Sequence, residues 1–75
     1  MTESVQRAHT LTVAELTPTE LCWRIGISSA VLERLAIERR AGKFYTDDAR
    51  VQNESGIIRR LRDIELAVER LWELL

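Results

Sequence analysis

The segment GIIRRLRDIELAVERLWELL, residues 56–75, limits what this chain can build more than any other. Its apolar residues Ile57, Leu61, Ile64, Val68, Leu71 and Leu75 are separated by four, three, four, three and four positions. A strand would need apolar side chains at every second position. This spacing instead lines them along one face of a helix, in the rhythm of a coiled-coil seam. The rhythm lasts under three heptads, which favours an amphipathic helix over an extended supercoil. Ile58 and Trp72 add apolar area beside the seam, and Leu66 and Leu74 widen it. The stripe is broader than one small N-terminal domain needs. Ile57, Leu61, Ile64, Val68, Leu71, Trp72 and Leu75 are therefore assigned to dimerisation with a second copy, or to partner binding.

A chain of 75 residues supports one domain. At that size a monomer buries only about 60% of its unfolded surface, so pairing is physically attractive. Apolar residues make up 45% and charged residues 31%, with three glycines and one proline, as expected of a folded, mostly helical protein. Eleven Lys and Arg against twelve Asp and Glu give a formal charge of −1, so nothing global draws the chain to nucleic acid or acidic membranes. Cys22 is the sole cysteine and has no internal disulfide partner. With no secretory signal pattern and no apolar run long enough to cross a bilayer, the expected setting is cytoplasmic, away from membranes.

Residues 1–10, MTESVQRAHT, show no persuasive period and read as a flexible arm or a short lead-in. The segment LTVAEL is either extended or the start of a helix that stops before Thr17. The next boundary carries four local signals. Thr17 suits an N-cap, Pro18 the first helical position and Glu20 the reciprocal capping-box position, while Leu16 and Leu21 suit a hydrophobic staple. A helix over residues 18–25 follows, with Leu21, Cys22 and Ile25 facing inward and Gly26 supplying a tight stop. Ser28 can cap a second helix carrying Val31, Leu32 and Leu35, with the small Cys22 allowing a close crossing. This is a helix-turn-helix pattern, although two short amphipathic helices around a glycine also describe an ordinary helical hairpin. The expected fold is all-α: a flexible arm over 1–10, a helix-turn-helix head over 11–52, and a long amphipathic helix over 53–75 that dimerises or binds a partner.

Two sets of charged residues compete for the functional role. Ser29 and Arg34 lie near the leading half of the second helix, and Arg39, Arg40 and Lys43 cluster around Gly42 beside Phe44 and Tyr45. Such a set could contact a groove and its phosphates. The competing reading has the aromatics covering the core while the basic residues favour a helix C-terminus. Thr46 can cap a short helix through Ala49 and Val51, with Asp47 and Asp48 as capping charges. Along the tail, Arg59 with Asp63, Arg62 with Glu65, and Arg70 with Glu73 have helix-neighbour spacing. Arg59, Arg60 and Arg62 could alternatively meet phosphates.

Enzymatic chemistry finds no foothold. His9 stands alone in the N-terminal arm, Cys22 belongs to an apolar stripe, and Gly26, Gly42 and Gly56 are too far apart for a phosphate cradle. The expectation is a non-catalytic protein with no metal and no cofactor.

The motifs Leu16-Thr17, Glu20-Leu21-Cys22 and Gly26-Ile27-Ser28, followed by VLERL, resemble the opening of the MerR-type helix-turn-helix superfamily. Within it they are similar to bacterial chaperone-modulator proteins that bind a DnaJ-type co-chaperone. The tail from Gly56-Ile57 similarly resembles the late helix that MerR-type proteins use to dimerise. About 40 of the 75 residues are covered. In place of the basic and aromatic wing of such regulators stands the compressed segment ERRAGKFYTDD. The resemblance implies a scaffold kept for protein contacts, to which Glu33, Glu38, Asp47 and Asp48, with Arg34 beside them, could contribute partner-binding charges. Two expectations stand: a small regulatory adaptor that binds a protein partner and modulates a co-chaperone, or a compact DNA-binding transcriptional regulator using Ser29, Arg34, Arg39, Arg40 and Lys43.

Overall fold

The computed structural model describes residues 11–75, and the expected arm with His9 lies outside the described residues. Two helices form an antiparallel hairpin: α1, Pro18–Ala41, and α2, Asp47–Leu74. A short 3-10 turn, Val13–Glu15, precedes them, and no strand occurs among the described residues. At 1.5 Å per residue the helices are about 36 and 42 Å long.

The start of α1 follows its local chemistry. Thr17 Oγ1 accepts from the Glu20 backbone N–H at 3.3 Å, and Glu20 Oε1 accepts from the Thr17 backbone N–H at 2.9 Å. Pro18 occupies the first turn, where its missing N–H costs nothing. Leu16 and Leu21, on either side of the cap, join one buried cluster with Ala67 of α2. Leu11, Val13, Ile25 and Leu71 pack around it. The lead-in segment thus turns once and folds onto the end of the hairpin.

The expected corner at Gly26 is absent. Helix α1 runs unbroken from Pro18 to Ala41, so the two short helices of the helix-turn-helix reading are one. An interior glycine costs about 1 kcal/mol relative to alanine, too little to break a helix held by a packed face and by the Ser28 hydrogen bond to α2. Ser28, expected to cap a second helix, is buried mid-helix and bonded to α2. Cys22, expected to point inward, is exposed.

The corner lies at Gly42, which adopts φ 65° and ψ 16° and whose N–H donates to the Glu38 carbonyl at 3.1 Å. This left-handed C-cap is glycine's preferred role at a helix end. Arg39 and Arg40 occupy the preceding turn, where cations favour the helix C-terminus. Four residues later Thr46 caps α2, accepting from the Ala49 N–H at 3.1 Å, with Asp47 and Asp48 in the first turn. The short helix expected here and the long tail helix are a single element, so α2 passes without interruption through residues 52 and 53.

Candidate interaction surface

What α2 exposes depends on how its inner face is held. Asn53, Gly56, Ile57, Arg60, Asp63, Ile64, Ala67 and Leu71 are buried or half-buried, recurring every three or four positions as packing against α1 requires. Near the connecting end, Asn53 Nδ2 donates to the Leu35 carbonyl at 2.9 Å. At Gly56 a Cβ would lie 3.1 Å from Leu35 Cδ1, so the missing side chain permits the approach there.

Nearer the other end, α1 and α2 are joined by a polar clamp. Arg24 donates from Nε to Asp63 Oδ2 and from Nη2 to Asp63 Oδ1, each at 2.8 Å. Ser28 Oγ donates to Asp63 Oδ2 at 2.6 Å, and Arg24 Nη1 donates to the Leu11 carbonyl at 2.8 Å. The Arg24 hydrogen bond is the main cause holding the Asp63 carboxyl below its ordinary range; burial opposes it, and Ser28 and Arg60 assist. The same hydrogen bond raises the Arg24 guanidinium, again against burial. Asp63 therefore turns inward to Arg24, whereas the sequence spacing had suggested Arg59 as its partner. Nothing local to either helix signals this pair. Of the expected surface pairs, Arg70 Nη1 meets Glu73 Oε2 at 3.2 Å.

The clamp fixes the rotation of α2 and leaves one flank uncovered. The expected seam divides: Ile57, Ile64 and Leu71 are half-buried, while Leu61, Val68, Trp72 and Leu75 are exposed. Trp72 keeps 78% of its accessible surface and Leu75 84%. Ile58 is also exposed at 60%, and Leu61 at 52%. Ile58, Leu61, Arg62, Glu65 and Leu66 line a shallow cleft on this flank. Leu66 and Arg62 are shared with a second cleft that also includes Arg24, Arg59, Arg60 and Asp63.

The two charged sets fare differently from the apolar one. Ser29, Arg34, Arg39, Arg40 and Lys43 are all exposed. On a continuous helix, however, Arg34 lies about 140° around the axis from Ser29, so the set does not form one recognition face. Glu33, Glu38, Asp47 and Asp48 are exposed as well. Glu38 Oε2 lies 3.5 Å from Asn53 Nδ2, and Asp47 lies 3.6 Å from Arg50, so both face neighbouring groups near the connecting end of the hairpin. Among the described residues no group of His, Cys, Asp and Glu could hold a metal ion, and no helix is long and apolar enough to cross a membrane.

Compared with known protein families, with curated proteins and with solved structures, the chain matches none.

Proposed function

We propose that this chain is a small non-catalytic adaptor, an all-α hairpin that works by binding other proteins. The observation that supports this reading is the exposed apolar flank of α2, on which Ile58, Leu61, Val68, Trp72 and Leu75 stand uncovered. Among the described residues the buried apolar core is Leu16, Leu21 and Ala67. Large apolar side chains left exposed along one helix beside so small a core favour a protein-binding surface. The partner that the sequence resemblance implies is a DnaJ-type co-chaperone, and the exposed Glu33, Glu38, Asp47 and Asp48 would face a basic surface on it.

The test is capture from bacterial cytosol with the intact chain, after nuclease digestion and at moderate salt. A discrete protein that survives nuclease and is lost from a Glu33→Lys, Asp48→Lys variant is the expected result. Recovery of nuclease-sensitive material alone would replace the adaptor reading with direct DNA binding through Arg34, Arg39, Arg40 and Lys43. Steep salt dependence would accompany that outcome.

A further inference from the structure

Two clefts on α2 meet along a shared rim. A basic cleft is lined by Arg24, Arg59, Arg60, Arg62, Asp63 and Leu66, and an apolar one by Ile58, Leu61, Arg62, Glu65 and Leu66. Going round the helix from Arg59, Leu66 and Arg62 come within about 60°, and Ile58, Glu65 and Leu61 follow at about 100–160°. A ligand seated in the basic cleft therefore reaches the apolar one over Arg62 and Leu66. Their volumes, about 300 and 340 Å³, suit a small molecule.

Charge separates the two. The basic cleft gathers four guanidinium groups and a single carboxylate, Asp63, whose oxygens already accept from Arg24 and Ser28. Arg59, Arg60 and Arg62 have no side-chain hydrogen bond or ion pair among the described residues. The partners that helix spacing suggests for two of them, Asp63 for Arg59 and Glu65 for Arg62, are not taken up. Arg60 is half-buried and meets Asp63 only through its charge. Three guanidinium forks with unused donors, beside a wall fixed by the Arg24–Asp63 pair, are suited to a phosphate, which accepts paired N–H groups. The apolar cleft differs: beyond the shared Arg62 its one charge is Glu65, which repels a second anionic group.

We propose that the joined clefts bind a soluble phosphate monoester, its phosphate among Arg59, Arg60 and Arg62 and its apolar substituent over Leu66, against Ile58 and Leu61. A monoester phosphate carries a charge of about −1.5 to −2 at neutral pH, which complements the positive excess of the basic cleft. The substituent covers apolar side chains left open on the other side of the rim, Ile58 at 60%, Leu61 at 52% and Leu66 at 46% exposure. A nucleic-acid strand fits less well. Its phosphates succeed one another along a backbone, whereas the arginines of α2 in the cleft occupy one turn, and Glu65 and Glu69 follow them on the same helix. The site goes beyond the adaptor reading and does not depend on it, since Val68, Trp72 and Leu75 stay open to a protein partner.

Arginine Nε–H and methyl NMR signals of the full chain, titrated with phenyl phosphate and with inorganic phosphate at low chloride, test the site. Saturable shifts are expected at Arg59 and Arg62 and at the methyls of Ile58, Leu61 and Leu66, with phenyl phosphate bound at least threefold tighter. The variant Arg59→Gln, Arg62→Gln should weaken both ligands at least tenfold, with circular dichroism confirming that it stays helical. The control Arg39→Gln, Arg40→Gln, which removes two exposed arginines near the bend at Gly42, should change neither by more than about twofold. Shifts that grow without saturating, or affinities that fall equally in the two variants, overturn the proposal. So does phenyl phosphate binding no tighter than inorganic phosphate, which would leave the apolar cleft unused. A short DNA duplex that displaces phenyl phosphate from these residues at lower concentration overturns it in favour of a nucleic-acid contact. No protein partner is present in the titration, so its failure leaves the adaptor reading standing.

Discussion

Arg24 of α1 and Asp63 of α2 meet in a two-pronged ion pair, both N–H···O distances being 2.8 Å, and Ser28 adds a third hydrogen bond to the same carboxylate. Their side chains are only about one-sixth exposed, at 17% and 16%. Removing either partner deprives the other of its opposite charge in a poorly solvated setting. Arg24→Ala and Asp63→Ala should each destabilise the hairpin by about 2–3 kcal/mol, and Ser28→Ala by about 1 kcal/mol. Urea denaturation reads these values. A loss below about 0.5 kcal/mol at Asp63, typical of unconnected surface sites, would show that the clamp contributes nothing.

Acid should open the same clamp. The folded carboxyl of Asp63 is held below its ordinary range, chiefly by the Arg24 hydrogen bond. A depressed carboxylate contributes its full stabilisation above the unfolded value of about 3.9, and loses it as pH falls from there through the folded value. Stability followed by urea midpoint should therefore decline below about pH 4. An Asp63→Asn variant, less stable at neutral pH, should show a shallower decline. Parallel pH profiles for the two proteins would remove Asp63 from the explanation.

The two glycines of α1 and its cap should respond with opposite signs. Gly26 sits in continuous helix with no atom within 4 Å of an added Cβ. Gly26→Ala should stabilise by about 0.5–1 kcal/mol. Gly42 holds φ 65°, and Gly42→Ala should destabilise by about 1 kcal/mol. Thermal melts of both variants decide it. Destabilisation by Gly26→Ala would restore a turn at that position.

Cys22 is exposed on α1. Its thiol should react with a maleimide in the native protein at a rate close to that in urea. Protection by tenfold or more would place it back inside the packed face.

What could be read from the sequence depended on the range of the interaction. The capping box of Thr17 and Glu20 was readable because cap, proline and staple all lie within six residues of one another. Gly26 was misleading because a glycine in a helix interior and a glycine ending a helix look alike when only neighbours are considered. What decides between them here is distant: Ser28 bonds to Asp63, which holds that turn of α1 against α2. The same distance hid Arg24 and Asp63, which are 39 positions apart. Asp63 has an arginine at helix-neighbour spacing in Arg59, so the local pairing looked sufficient. The seam was correctly placed on a helix, but spacing alone does not divide Ile64, half-buried, from Leu61 and Val68, which stand outside.

Leu11, held through its carbonyl by Arg24, packs on the same cluster as Leu71 near the far end of α2. Leu11 and the last turns of α2 therefore share one pole of the hairpin. A fluorophore, affinity handle or surface linker attached at Leu11 or at Leu75 stands at that pole. The bend at Gly42 is then presented outward about one helix length, or about 36 Å, away. Immobilised by either route, the molecule stands as a post with its tip facing solution.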